Sequence, residues 1–113
     1  MHEMAMVSSI FNVINDKIKE YGINKVKQVK LVVGEMTGVE DYTMKACFEL
    51  FAEATPVEGA LLVIERIPIK VKCRSCGNEY IASNMRFRCA SCGGTNINII
   101  SGKELYIENI EAE

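Results

Sequence analysis

Near the start of the chain the apolar positions recur at helical spacing. Val7, Ile10, Phe11, Ile14, Ile18 and Tyr21 fall at steps of three and four, with Asn12, Asn15, Asp16, Lys17, Lys19 and Glu20 between them. That pattern predicts an amphipathic helix with one buried stripe, stopped by Gly22. The period then changes: Val29, Leu31 and Val33 alternate within Lys25 to Val33, as in a strand with one covered face, ahead of Gly34. Helical spacing returns from Asp41, the expected N-cap, to Ala54, with Met44, Cys47, Phe48 and Phe51 on the buried side. Pro56 and Gly59 punctuate the exit. Ala60 to Ile67 is a second strand with the nearly continuous apolar run Leu61-Leu62-Val63-Ile64. Leu105, Tyr106 and Ile107 form a third core-type strand within Glu104 to Ile110.

These elements predict an α/β fold with a small three-stranded sheet, two helices and an inserted module. Pro68 weakens strand pairing and marks the boundary, so residues 1–67 and 101–113 are expected to form the main domain and residues 68–100 the insertion. Within the insertion the apolar side chains are few, chiefly Tyr80, Ile81 and Phe87. A bound metal is therefore expected to supply most of its folding energy.

The insertion contains Cys73-Arg-Ser-Cys76-Gly77 and Cys89-Ala-Ser-Cys92-Gly93, a C-x2-C-x12-C-x2-C pattern. Each Cys-x-x-Cys turn lets two sulfurs grip one ion from the same side, and the second turn completes a tetrahedron. Four soft thiolates with no open position suit structural Zn²⁺ at Cys73, Cys76, Cys89 and Cys92. The glycine after each second cysteine fits a turn at positive φ, where backbone amides can point at sulfur. Disulfides and rubredoxin-like iron are the alternatives; no redox partner motif accompanies the quartet. Cys47, on the apolar face of the second helix, is read as a small buried hydrophobe.

Composition narrows the classes. At 113 residues the chain has room for one compact domain with a small attached module, and 49% hydrophobic content permits a core without disulfides. Five basic residues against one acidic between Ile67 and Ile100 give +4; the remainder, eight against fourteen, gives −6. Much of the local positive charge offsets the thiolates, and the overall −2 argues against a general nucleic-acid binder. The apolar runs are too short to span a bilayer and no signal peptide opens the chain, so a cytoplasmic protein with no membrane partner is expected.

The only histidine is His2. A lone histidine is ordinarily just solvated, but at this position the terminal amine, the His2 amide and the imidazole can close adjoining chelate rings around one ion. A fourth donor can come from the amide of Glu3 or another group. Nitrogen-rich planar geometry favours Ni²⁺ or Cu²⁺ over Zn²⁺.

Met1-His2-Glu3 followed by a helix containing Val7-Ser8-Ser9-Ile10, the segment Val33-Gly34-Glu35-Met36-Thr37-Gly38-Val39, and the inserted cysteine quartet together resemble the HypA family, nickel metallochaperones of [NiFe]-hydrogenase maturation. The resemblance covers essentially the whole chain. It implies Ni(II) as transient cargo at Met1, His2 and Glu3, with His2 the essential side-chain ligand, and Zn(II) as a structural ion at the four cysteines. It also implies a carrier and no enzyme, working with a HypB-type GTPase and the hydrogenase large subunit, with a homodimer left open. Some family members carry Cys-x-x-Cys-His; here Gly77 and Gly93 stand in those places, so ligand exchange through such histidines is closed to this chain. Glu35, Glu40 and Asp41 make an acidic patch, read first as a solvated loop and second as a docking or weak metal surface.

Two other classes were weighed. A zinc-ribbon nucleic-acid binder or adaptor would use Arg74, Arg86, Arg88, Tyr80 and Phe87 as its surface. An enzyme would need an open metal position or a nucleophile–base arrangement, and neither stands out.

Overall fold

The computed structural model describes residues 3–82 and 86–113. The chain divides into two compact units, one built from the chain up to Val32, Gly38–Glu65 and Tyr106–Glu113, the other from Val33–Thr37 and Arg66–Leu105.

In the first unit, helix α1 (Glu3–Tyr21) buries Val7, Ile10, Phe11 and Ile14. The stripe expected to continue through Tyr21 does not: Ile18 is half-buried and Tyr21 is 68% exposed. Helix α2 (Asp41–Ala52), which packs on α1, is 12 residues long against 19, so the last turns of α1 outrun it. Phe11 joins the helices, its ring centroid 5.1 Å from that of Phe48 and 5.6 Å from that of Phe51. Asp41 is the first helical residue and not the N-cap; that place falls to Glu40, which makes no side-chain cap. The helix ends at Ala52, short of the expected Ala54, which has φ 58° and donates its amide to the Glu58 carboxylate.

The sheet of this unit has the order β2-β1-β6, from β1 (Val26–Gly34), β2 (Leu61–Ile67) and β6 (Leu105–Ala112). Val26 at the start of β1 donates to Pro56 O just ahead of β2 (2.9 Å), so both strands begin at the same end and α2 carries the chain across. Lys25 and Glu113 exchange both backbone bonds (3.0 and 2.9 Å), the mark of an antiparallel pair. Val26, Val29 and Leu31 from β1 meet Met44 and Phe48 of α2 in a core where each buried aliphatic contributes roughly 1.5–3 kcal/mol. On the sheet surface Lys30 bridges Glu65 and Glu108, both at 3.3 Å, and so ties all three strands. The expected core character of Leu105-Tyr106-Ile107 is not observed. Strand β6 is an edge, Tyr106 is 52% exposed, and its two neighbours are only half-buried.

The second unit is a sheet of order β4-β3-β5, from β3 (Lys70–Cys73), β4 (Glu79–Ile81) and β5 (Ile97–Ser101), with β3 antiparallel to both neighbours. Val71 stands opposite Tyr80 and Ile99, and Cys73 opposite Ile97. Its core is larger than expected: Ile69, Val71 and Ala82 are buried, with Met36, Tyr80, Phe87, Ile97 and Ile99 packed against them. Ile81, expected in that core, is 53% exposed, because β4 alternates and its register turns Tyr80 inward instead. Met36 arrives through a close backbone approach. Gly34 N donates to Glu104 O and Met36 N to Gly102 O, both at 2.7 Å, and a Cβ on Gly34 would collide with the Gly102 carbonyl. Glu35 then closes a two-bond ion pair with Arg66 (3.0 and 3.2 Å), so its carboxylate is not part of a free acidic patch.

Candidate metal centre

The two cysteine hooks are built alike. In the first, Cys73 N donates to Asn78 O (2.8 Å) and Gly77 N returns to Cys73 O (2.8 Å). In the second, Cys89 N donates to Gly94 O (2.9 Å) and Gly93 N returns to Cys89 O (2.8 Å). Gly77 and Gly93 have φ of 79° and 73°, a conformation that glycine adopts without the Cβ clash other residues meet. Asn78 and Gly94 thus fill equivalent places, a correspondence visible in the sequence only once the repeat is read past the glycine.

Each hook contributes one buried sulfur, Cys73 or Cys89, and one exposed residue, Cys76 or Cys92. They pair crosswise: Cys73 Sγ lies 3.6 Å from Cys92 Sγ, and Cys76 Sγ 3.5 Å from Cys89 Sγ. All four sulfurs fall within 4.8 Å of one another, close enough to share one ion. Thiolate donors in this number and spacing fit a tetrahedral thiophilic cation and leave no ligand position for water.

Backbone amides tune the thiols. The amide of Cys76, and then that of Ser75, hold the Cys73 thiol below its ordinary range despite burial. At the matching place the amides of Cys92 and Ser91 bring Cys89 down to about 6. Cys76 goes the other way: the Asn78 amide favours its thiolate, but neighbouring Cys89, burial and the other sulfurs push it up to about 12. Cys92 is raised too, the Gly94 amide opposing and Cys73 the main cause of the rise. One sulfur of each hook therefore ionises readily and the other holds its proton until a cation replaces it.

Tyr80 and Phe87, the aromatics that a nucleic-acid surface would need, pack against the core of this unit. The Tyr80 hydroxyl is buried with no hydrogen-bond partner among the described residues. Single-strand binding by stacking requires presented rings, so the arrangement opposes that reading. Arg74 reaches along the sheet to Asn98 Oδ1 at 3.2 Å.

Of the expected nickel ligands, Met1 and His2 lie outside the described residues. Glu3 is the first residue of α1 and only 7% exposed, and its carboxylate accepts a hydrogen bond from the Glu40 amide (3.2 Å). The first turn of α1 is thereby pinned to the residue that precedes α2. Sequence reasoning missed this link, because the partners lie 37 residues apart with no local pattern joining them.

Residues 1–112 match the family described as hydrogenase/urease nickel incorporation, metallochaperone, HypA. The hydrogenase maturation factor HypA of Desulfitobacterium hafniense is 37% identical over 113 residues, covering 100% of this chain and 99% of the relative. That of Caldanaerobacter subterraneus subsp. tengcongensis is 38% identical over 114 residues, covering all of both. The solution structure of the Ni metallochaperone HypA from Helicobacter pylori superposes with a TM-score of 0.68 at 24% identity, over 99% of this chain and 97% of that one, a likeness of fold. With a matching family that spans nearly every residue, relatives aligned end to end and a four-cysteine metal site, the chain belongs to the HypA family of nickel metallochaperones for hydrogenase maturation.

Proposed function

We propose that this chain binds Ni(II) through Met1, His2 and Glu3 and delivers it for [NiFe]-hydrogenase maturation, while Zn(II) at Cys73, Cys76, Cys89 and Cys92 holds the second unit together. The observation that carries the reading is the family match over residues 1–112, which reaches both metal-binding segments at once. The anchoring of Glu3 supports the division of labour within the nickel segment. Its carboxylate is engaged with Glu40, which leaves the backbone nitrogen as the donor suited to complete a chelate with the terminal amine and His2. The protein acts as a carrier and not a catalyst, in the cytoplasm, handing the ion on with a HypB-type GTPase to the hydrogenase large subunit.

The test is a calorimetric nickel titration of zinc-loaded protein with a native N-terminus, beside the same chain extended by one glycine and beside His2→Ala. One tight site that collapses in both altered chains is expected, with zinc content unchanged. Equal binding by all three would move the nickel site elsewhere. Nickel affinity is also expected to fall as pH drops through the histidine range, since imidazole ligates only when neutral. A flat profile from neutral to mildly acidic pH would exclude coordination by His2.

A further inference from the structure

Strand β6 is the outermost strand of its sheet, so its outer row of backbone donors and acceptors is open to another strand. Beside it, between β6 and the C-terminal half of α1, runs a groove of about 460 Å³ lined by Val13, Tyr21, Ile23, Ile107, Ile110 and Ala112. Two of these side chains are strongly presented to solvent, Val13 at 47% and Tyr21 at 68%. The open edge and the apolar groove are adjacent. A strand laid against β6 would send every second side chain toward α1 and into the groove, and the alternate ones to the opposite face. On that opposite face stands Glu108, which shares it with Lys30 and Glu65.

Charge decides the occupant. The β6 segment Leu105–Ala112 carries Glu108 and Glu111 and no basic residue. Lys17, the one cation lining the groove, is already paired with Glu20 at 3.3 Å. Antiparallel pairing of two copies along β6 would bring like carboxylates across from one another, which is destabilising and is a usual means of preventing self-association at sheet edges. We propose that the β6 edge and its groove are a docking site for an extended segment of a partner protein in which basic and apolar residues alternate. The apolar residues enter the groove against Val13 and Tyr21, and the basic ones meet Glu108 on the far face.

The probe is a fluorescent ten-residue peptide of alternating Lys and Val, titrated by anisotropy into the metal-loaded full chain; amide hydrogen exchange over Leu105–Ala112 is read alongside. Saturable binding with slowed exchange of β6 amides is expected. Val13→Glu and Tyr21→Ala, both at exposed positions and checked for helical content, should each weaken binding roughly tenfold or more. The sign for Val13→Glu is diagnostic: an added carboxylate strengthens any merely electrostatic attraction to a basic peptide but closes an apolar groove. Absence of binding, equal binding of a Glu/Val peptide, or undiminished binding by Val13→Glu would overturn the proposal. So would a dimer in sedimentation that Val13→Glu dissociates, since a second copy would then be the occupant.

Discussion

Gly34 illustrates how much a single position can decide. Its hydrogen has the Gly102 carbonyl directly against it, and its amide donates to Glu104 O. Gly34→Ala should cost roughly 2–3 kcal/mol, since the obstruction is backbone and cannot rotate away; chemical denaturation measures it. Tyr80→Phe should have the opposite or no effect. It removes a buried hydroxyl that has no partner among the described residues, so the thermal midpoint of the metal-loaded protein should hold or rise. Glu3→Ala frees the Glu40 amide and should lower the midpoint, whereas His2→Ala should leave it unchanged while removing nickel. At this scale the sequence was legible where the chemistry is local. The cysteines announce themselves by spacing, and the glycines after them by the turns such hooks need. Gly34 stood out only as part of a family-like segment, because its reason for being glycine comes from Gly102, far along the chain.

Among the elements, the two hooks make the sharpest statement about protons. With Cys73 and Cys89 shifted down and Cys76 and Cys92 shifted up, the metal-stripped protein at neutral pH should hold about two protons that a divalent ion must expel. Calorimetry in buffers of different ionisation enthalpy counts them. As pH falls below about 6, Cys89 also becomes protonated, so zinc affinity should decline more steeply there than above. A constant slope across that point would show that the hook amides do not set the order of ionisation. Helices and strands were found from hydrophobic period alone, with ends misjudged by one or two residues. The greater error concerned which side chains they bury. Periodicity assigned Tyr21 to the core stripe and Tyr106 to a core strand, but burial depends on what lies opposite. A shorter α2 and an edge position for β6 leave both exposed.

Taken whole, the molecule separates its charge. The unit containing the cysteines has seven basic residues against three acidic ones, +4, and the other has six against twelve, −6. Metal removal should therefore act unequally. Chelation is expected to strip amide protection from β3 and its neighbours while the helical circular-dichroism signal of α1 and α2 persists, because the first unit has its own core from both helices and β1. Loss of helicity in step with metal would contradict this. The insertion had been expected to begin near Pro68, but Val33–Thr37 also clusters with the cysteine-bearing unit. No composition change marks that stretch; a carbonyl–amide approach between two glycines draws it in. The likeness of the two hooks has a kinetic consequence as well. Each supplies amide donors to its own sulfurs and presents one of its cysteines to solvent, so a bound ion need not leave all four ligands together. A competitor with two donor atoms can displace one hook from the exposed side while the other retains its grip. The lifetime of the metal then depends on the concentration and bite of whatever approaches, and not on a single spontaneous dissociation rate.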